Sequence, residues 1–320
     1  MTKTDILMLN PMRPLVEPAV APFGTVHKFW EIADQEKFLA EVGPRIRGMI
    51  AFVASCPREL IEKLPALEVI ASSAVGYDGI DVKAAAEHGI VVTNTPDVLT
   101  DEVADLAIGL LLATIREIPR AEQYVRSGNW PKAPFPLTAT LRGRSVGIIG
   151  LGRIGKAIAK RLEGFDISIA YHGRRQQSDV PYTYFASLLD MASEVDTLIA
   201  ITPGGAETRH LINAEVFKAL GPNGIFVNVA RGSVVDEAAL IHALKNRTIL
   251  AAGVDVFENE PHVPAELIAL ENAVLLPHVA SASVHTRDAM AQLAVDNLLA
   301  VLGGKPPLTP VPETPWPPAK

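Results

Sequence analysis

Short apolar runs separated by stretches of helical periodicity recur through most of this chain. In its middle the runs are Ser145–Ile149, Ile167–Tyr171, Thr197–Ile201, Ile225–Val229, Ile249–Val254 and Ala273–Leu276. Several are apolar at consecutive positions, the pattern of a strand buried on both faces, as in a parallel sheet covered by helices. Between them, Arg153–Leu162 sets Ile154, Ala157, Ile158 and Leu162 on one stripe, and Asp236–Lys245 follows a similar pattern. This alternation predicts an α/β domain with a doubly wound parallel sheet.

The first hundred residues carry a weaker version of the same alternation. Candidate strands are Ile6–Leu9, Gly48–Val53, Glu68–Ser72 and Ile90–Thr93, which predict a second, smaller α/β domain. A long helical pattern from Asp101 to about Ser127 leads into the larger domain, with Asp101 and Glu102 at its start, where the helix dipole favours negative charge. After His278 the periodicity predicts a last helix over about Thr286–Leu302. The tail, Gly303–Lys320, is too rich in proline for a helix or a central strand.

Composition narrows the classes. The 320 residues are too many for one compact core and suit two domains. With 48% hydrophobic and 20% charged residues the chain reads as globular rather than disordered. A net charge of -7 without a strongly basic stretch points away from nucleic acid and membrane surfaces as partners. Leu106–Ile115 is too short an apolar stretch to span a bilayer, and Met1–Asn10 reads as the approach to a first strand rather than a signal peptide. The single cysteine, Cys56, excludes an intrachain disulfide and fits a reducing cytoplasm; with no base patterned near it, it reads as a small buried residue. No Cys/His cluster has metal-ligand spacing.

Chemistry enters at Gly150-Leu151-Gly152-Arg153-Ile154-Gly155, which follows a predicted strand and opens a predicted helix. In that context the three glycines form a dinucleotide turn: Gly150 for the tight bend, Gly152 for close approach of a pyrophosphate, Gly155 for helix–strand packing. The helix N-terminus supplies N–H donors to the phosphates. An NAD-type site carries an acid about 20 residues past the first glycine, to hold the ribose 2′-hydroxyl. Counting from Gly150 arrives at Ala170–His172, where no acid stands; the strand runs into Gly173-Arg174-Arg175, and the next acid is Asp179. Two arginines in place of an acid suit the 2′-phosphate of NADPH.

Arg231, Glu260 and His278 each follow the carboxyl end of a predicted strand, the edge that lines the ligand crevice of such a sheet. An arginine fork can grip a carboxylate, a histidine can give a proton to a carbonyl oxygen, and a carboxylate can hold the histidine's other nitrogen. Each alone could instead be a surface ion-pair partner, one more acid of an acidic loop, or a satisfied loop histidine; together they read as a site. The other seven histidines, among them His210, His262 and His285, have no comparable setting in the sequence.

Longer motifs surround these residues. Asn228-Val229-Ala230-Arg231-Gly232, Gly253-Val254-Asp255-Val256-Phe257 with Glu260-Pro261, and Leu276-Pro277-His278-Val279-Ala280-Ser281 resemble successive signatures of the D-isomer-specific 2-hydroxyacid dehydrogenases. Ser73-Ala74-Val75-Gly76-Tyr77-Asp78-Gly79-Ile80-Asp81, Asn94-Thr95-Pro96 and Asp101-Glu102-Val103-Ala104 match the same family, in order from about residue 45 to 290. The chain looks most like the short NADPH-dependent glyoxylate/hydroxypyruvate reductases of that family.

The resemblance implies two doubly wound parallel-sheet domains. A Rossmann-type cofactor domain spans 100–286, and a smaller flavodoxin-like substrate-binding domain is discontinuous over 1–99 and 287–320. It implies that Arg231 binds the keto-acid carboxylate and carbonyl, that His278 is the acid/base with Glu260 as partner, and that the Val75-Gly76 backbone holds the substrate carboxylate in an interdomain cleft. The cofactor, NADPH, is expected against Thr100, the glycine turn with Arg153 and Ile154, the loop His172-Gly173-Arg174-Arg175, Thr202-Pro203, Val229-Ala230, Asp255 (facing the nicotinamide carboxamide) and Ser281. A homodimer is implied through the helix after Thr100, with Trp130 beside the neighbour's cleft. Aryl pyruvates are the rival substrates. A dinucleotide-sensing, corepressor-like binding role is the alternative of another class.

Overall fold

The computed structural model describes residues 4–317; residues 1–3 and 318–320 of the expected first domain and tail lie outside them. The chain divides into two compact units, one running to Leu99 and resuming at Ser283, the other covering Thr100–Ala282.

The first unit holds a five-stranded, wholly parallel sheet. Its strands are β1 (Thr4–Met8), β2 (Gly24–Lys28), β3 (Ile46–Ala51), β4 (Val69–Ser72) and β5 (Val91–Thr93), in the order β2-β1-β3-β4-β5. Successive residues feed opposite cores. Leu7, Met49, Ile70 and Val92 enter one cluster, while Ile6, Met8, Ile50 and Val69 enter the other. That two-sided burial produces the consecutive apolar positions of the sequence. β2 escapes the pattern because Gly-Thr-Val-His-Lys sits at a sheet edge and is only partly covered.

The second unit holds seven parallel strands: β6 (Ser145–Ile149), β7 (Ser168–His172), β8 (Thr183–Phe185), β9 (Thr197–Ala200), β10 (Ile225–Asn228), β11 (Ala251–Val254) and β12 (Ala273–Leu275), in the order β12-β11-β10-β9-β6-β7-β8. The winding reverses where β6 meets β9, and the crevice at the carboxyl ends there is where such sheets bind ligands. Six of these strands are legible in the sequence. β8 is a three-residue edge strand with partly exposed tyrosine and phenylalanine, too short to show a period. Both units are thus doubly wound α/β layers, as the pattern predicts.

Two helices differ from expectation. The pattern from Asp101 to about Ser127 breaks into Thr100–Ile115 and Ile118–Arg126, with Glu117 left-handed at φ 51° and Pro119 in the first turn of the second helix. Proline cannot donate to the preceding turn, so the helix restarts there. The last helix starts earlier than expected, at Val284, because the Ser283 side chain accepts from Thr286 N–H and caps it. Its face carrying Ala291, Ala294, Val295 and Leu298 packs on the first sheet. The proline-rich tail then covers β5, with Val311 N–H donating to Val92 O and Val92 N–H donating to Thr314 Oγ1. No helix among the described residues is long and apolar enough to cross a membrane.

Candidate active site

The glycine turn leaves the carboxyl end of β6. Gly150 has φ 99°, and a Cβ there would lie 3.0 Å from Thr202 Cα; at Gly155 it would lie 2.2 Å from Gly150 O. Only glycine is tolerated in either place. At Gly152 a Cβ would meet nothing within 4 Å, so the turn faces open space, and no side chain caps the helix Arg153–Leu162 that follows. An open turn beneath uncapped N–H donors fits a diphosphate group. Thr202-Pro203 follow β9 directly against Gly150, and Thr208 Oγ1 donates to Pro203 O at 2.8 Å. Val229 and Ala230 are buried beyond β10, and Thr100 opens its helix at the head of this unit.

β7 delivers the loop 172–179. His172 Nδ1 lies 3.0 Å from Phe185 O and Tyr184 Oη donates to Gly173 O. Arg174 and Arg175 are exposed, with no ion-pair partner among the described residues. Asp179, the first acid downstream, is paired with Lys156 at 2.6 Å, which holds its carboxyl below the ordinary value.

Arg231, Glu260 and His278 come together at the carboxyl ends of β10, β11 and β12. Gly232 permits this: a Cβ there would lie 1.9 Å from Phe257 C and O, so the loop after β10 rests on the loop after β11. The Arg231 stem passes Gly204, whose Cβ would lie 3.1 Å from Arg231 Cγ, and its Nη1 donates to Ala230 O at 2.7 Å. Glu260 Oε2 stands 2.7 Å from His278 Nδ1, and Glu260 Oε1 accepts from Phe257 N–H at 3.0 Å. Burial pushes the Glu260 carboxyl up, but His278, the Phe257 N–H and Arg231 outweigh it and hold it below its usual value. Glu260 is therefore a carboxylate at neutral pH and occupies Nδ1 of the imidazole.

Asp255 takes a part that the sequence did not suggest. It is fully buried, and its two oxygens accept from Val279 N–H at 2.8 Å and Ala280 N–H at 2.9 Å, while its backbone carbonyl accepts from His278 N–H at 2.8 Å. Burial pushes its carboxyl up despite those two donors. Both oxygens thus clamp the loop that carries His278 and leads to Ser281. That clamp holds His278 in the left-handed region at φ 54°, which non-glycine residues adopt uncommonly.

Val75 and Gly76 lie in the other unit, beyond the carboxyl end of β4, where Asn94 Nδ2 donates to Val75 O at 2.8 Å. Two further histidines have carboxylate partners that the sequence does not announce: His210 Nε2 is 2.8 Å from Glu258 Oε1, and His27 Nε2 is 2.6 Å from Asp5 Oδ1. No spacing announces either pair, because each joins separate loops or strands.

A parallel sheet of this order with an open glycine turn at its switch point defines a dinucleotide-binding oxidoreductase domain. The D-isomer specific 2-hydroxyacid dehydrogenase, NAD binding domain, matches residues 108–280. The hydroxyphenylpyruvate reductase of Plectranthus scutellarioides is 47% identical, over 97% of this chain and 100% of its own length. The glyoxylate/hydroxypyruvate reductase A of Arabidopsis thaliana is 46% identical over the same shares. Among solved structures, the NADPH-dependent glyoxylate/hydroxypyruvate reductase of Sinorhizobium meliloti, in complex with NADP and malonate, is 51% identical, with a TM-score of 0.94 over 98% of each chain. The chain belongs to the D-isomer-specific 2-hydroxyacid dehydrogenase family, and its larger unit is that family's NAD-binding domain.

Proposed function

We propose that this chain is an NADPH-dependent reductase of small 2-keto acids, glyoxylate and hydroxypyruvate first, yielding D-2-hydroxy acids. One observation carries the reading: an imidazole held at Nδ1 by a carboxylate 2.7 Å away, with an arginine on the adjoining strand end. The nicotinamide, when bound, supplies the hydride. His278, anchored through Nδ1, presents Nε2 and gives the proton to the carbonyl oxygen. Glu260 fixes the ring's orientation and tautomer by occupying Nδ1. Arg231 takes the keto-acid carboxylate in its planar fork and orients the carbonyl.

The NADPH preference rests on the loop after β7. No acid stands at Ala170–His172 to repel a 2′-phosphate, Arg174 and Arg175 are exposed, and Asp179 is neutralised by Lys156. The Sinorhizobium relative was solved with NADP, which supports the same choice. Charge-assisted hydrogen bonds are worth ~1.5–3 kcal/mol each, so Arg174→Ala should cost roughly 10- to 100-fold in NADPH affinity and leave NADH nearly unchanged. Comparing kcat/KM for both cofactors in wild type and variant decides it; a wild type preferring NADH contradicts the reading.

Aryl pyruvates are the second reading, favoured by the 47% identity to the hydroxyphenylpyruvate reductase over the full chain. A panel of keto acids spanning glyoxylate to hydroxyphenylpyruvate ranks the two. The reading includes a cytoplasmic homodimer. In its support, Trp130 and Leu137 are 66% and 100% exposed, large apolar side chains that association would cover. Cys56 is buried, and burial first, with Asp81 second, pushes its thiol up to about 12, so it has no reactive character.

A further inference from the structure

We infer that Gln177 is the positioning residue that locks the arginine loop to the glycine turn and thereby sets the preference for a 2′-phosphate. The inference rests on the NADPH reading above.

Gln177 lies at the far end of the loop from β7, half-buried among exposed neighbours. Its Nε2 donates to Leu151 O at 2.8 Å, the carbonyl between Gly150 and Gly152. Its backbone N–H donates to Tyr171 Oη at 2.7 Å, and Tyr171 is fully buried in the sheet. One residue therefore ties three parts together: the sheet through Tyr171, the phosphate turn through Leu151, and the loop bearing Arg174 and Arg175. Across a trans peptide the carbonyl and the next N–H point in opposite directions. Holding Leu151 O towards Gln177 therefore turns Gly152 N–H away from it, towards the open side of the turn.

The two cofactors feel this brace differently. NADH engages the turn, which stays ordered without Gln177 because Gly150 N–H donates to His172 O at 2.9 Å and Gly150 packs on Thr202. NADPH must engage the turn and the arginine loop at once. Fixing the two in register beforehand removes an ordering cost that only the doubly held ligand bears. Asp179–Lys156 is a second link between the same elements, but it is solvent-exposed and worth little.

The test is the affinity of NADPH and NADH, read by fluorescence titration of the full chain without substrate, for wild type, Gln177→Met, Arg174→Ala/Arg175→Ala and the triple variant. Methionine keeps the length and removes the donor. Loss of one neutral hydrogen bond predicts a fall of about 3- to 10-fold for NADPH, about 2-fold or less for NADH, and little further loss when the arginines are already gone. Equal losses for both cofactors, no loss, or a full Gln177 effect in the arginine-free background overturns the inference while leaving the NADPH reading standing. If removing the arginines leaves the NADPH/NADH ratio untouched, the NADPH reading itself fails and this inference falls with it. Circular dichroism melting of each variant separates these outcomes from unfolding.

Discussion

His278 shows how a site residue depends on the groups packed behind it. Its side chain is anchored by Glu260, its backbone N–H by the carbonyl of Asp255, 23 residues earlier in the chain, and the next two N–H groups, of Val279 and Ala280, by the Asp255 carboxylate oxygens. Replacing His278 by alanine should remove the proton donor and lower kcat by about 10²–10⁴-fold, with NADPH binding retained. Near-normal turnover would remove the assignment. Glu260 gives a pH prediction with a fixed sign. Its carboxyl in the folded chain is held below the ordinary value, so its pairing stabilises the fold fully above the usual glutamate range and is lost as pH falls through the depressed folded value. Glu260→Gln lacks that contribution at every pH. The difference in thermal midpoint between wild type and variant should therefore be largest near neutrality and close below about pH 4; a pH-independent difference contradicts the pairing. Arg231, Glu260 and His278 were legible because strand ends are. The Asp255 clamp was not, since its partners are backbone N–H groups that only the folded loop brings to it.

At the scale of elements, the arrangement depends on two loops that nearly touch. A Cβ on residue 232 would overlap the backbone of Phe257, so Gly232→Ala must push the loop after β10 off the loop after β11. Overpacking of this kind costs about 1–3 kcal/mol or more. Urea unfolding should show that loss, and kcat should fall with it as Arg231 leaves the neighbourhood of Glu260; an unaltered stability curve contradicts the close approach. The strands buried on both faces could be read from sequence because both cores demand apolar residues at consecutive positions. β2 and β8 could not, being short edge strands with one covered side at most. The helix after Thr100 looked continuous because its periodicity carries on past Pro119; in the structure it stops before the left-handed Glu117 and restarts with that proline in its first turn. The tail's part in covering β5 was likewise invisible, since it depends on Val311 and Thr314 reaching back more than two hundred residues to Val92.

For the whole molecule, two doubly wound sheets leave one set of strand ends, those of β6, β7, β9, β10, β11 and β12, carrying both the dinucleotide turn and the Arg–Glu–His group. The glycine turn and the Arg–Glu–His group thus sit on one sheet, and what the site presents follows from which strand ends the chain decorates. The most direct test is the reaction itself: purified chain, NADPH and hydroxypyruvate, with NADPH absorbance followed to completion and the product resolved by chiral chromatography. The account predicts one D-glycerate formed for each NADPH consumed. No NADPH oxidation with any small 2-keto acid, or formation of L-glycerate, would contradict it.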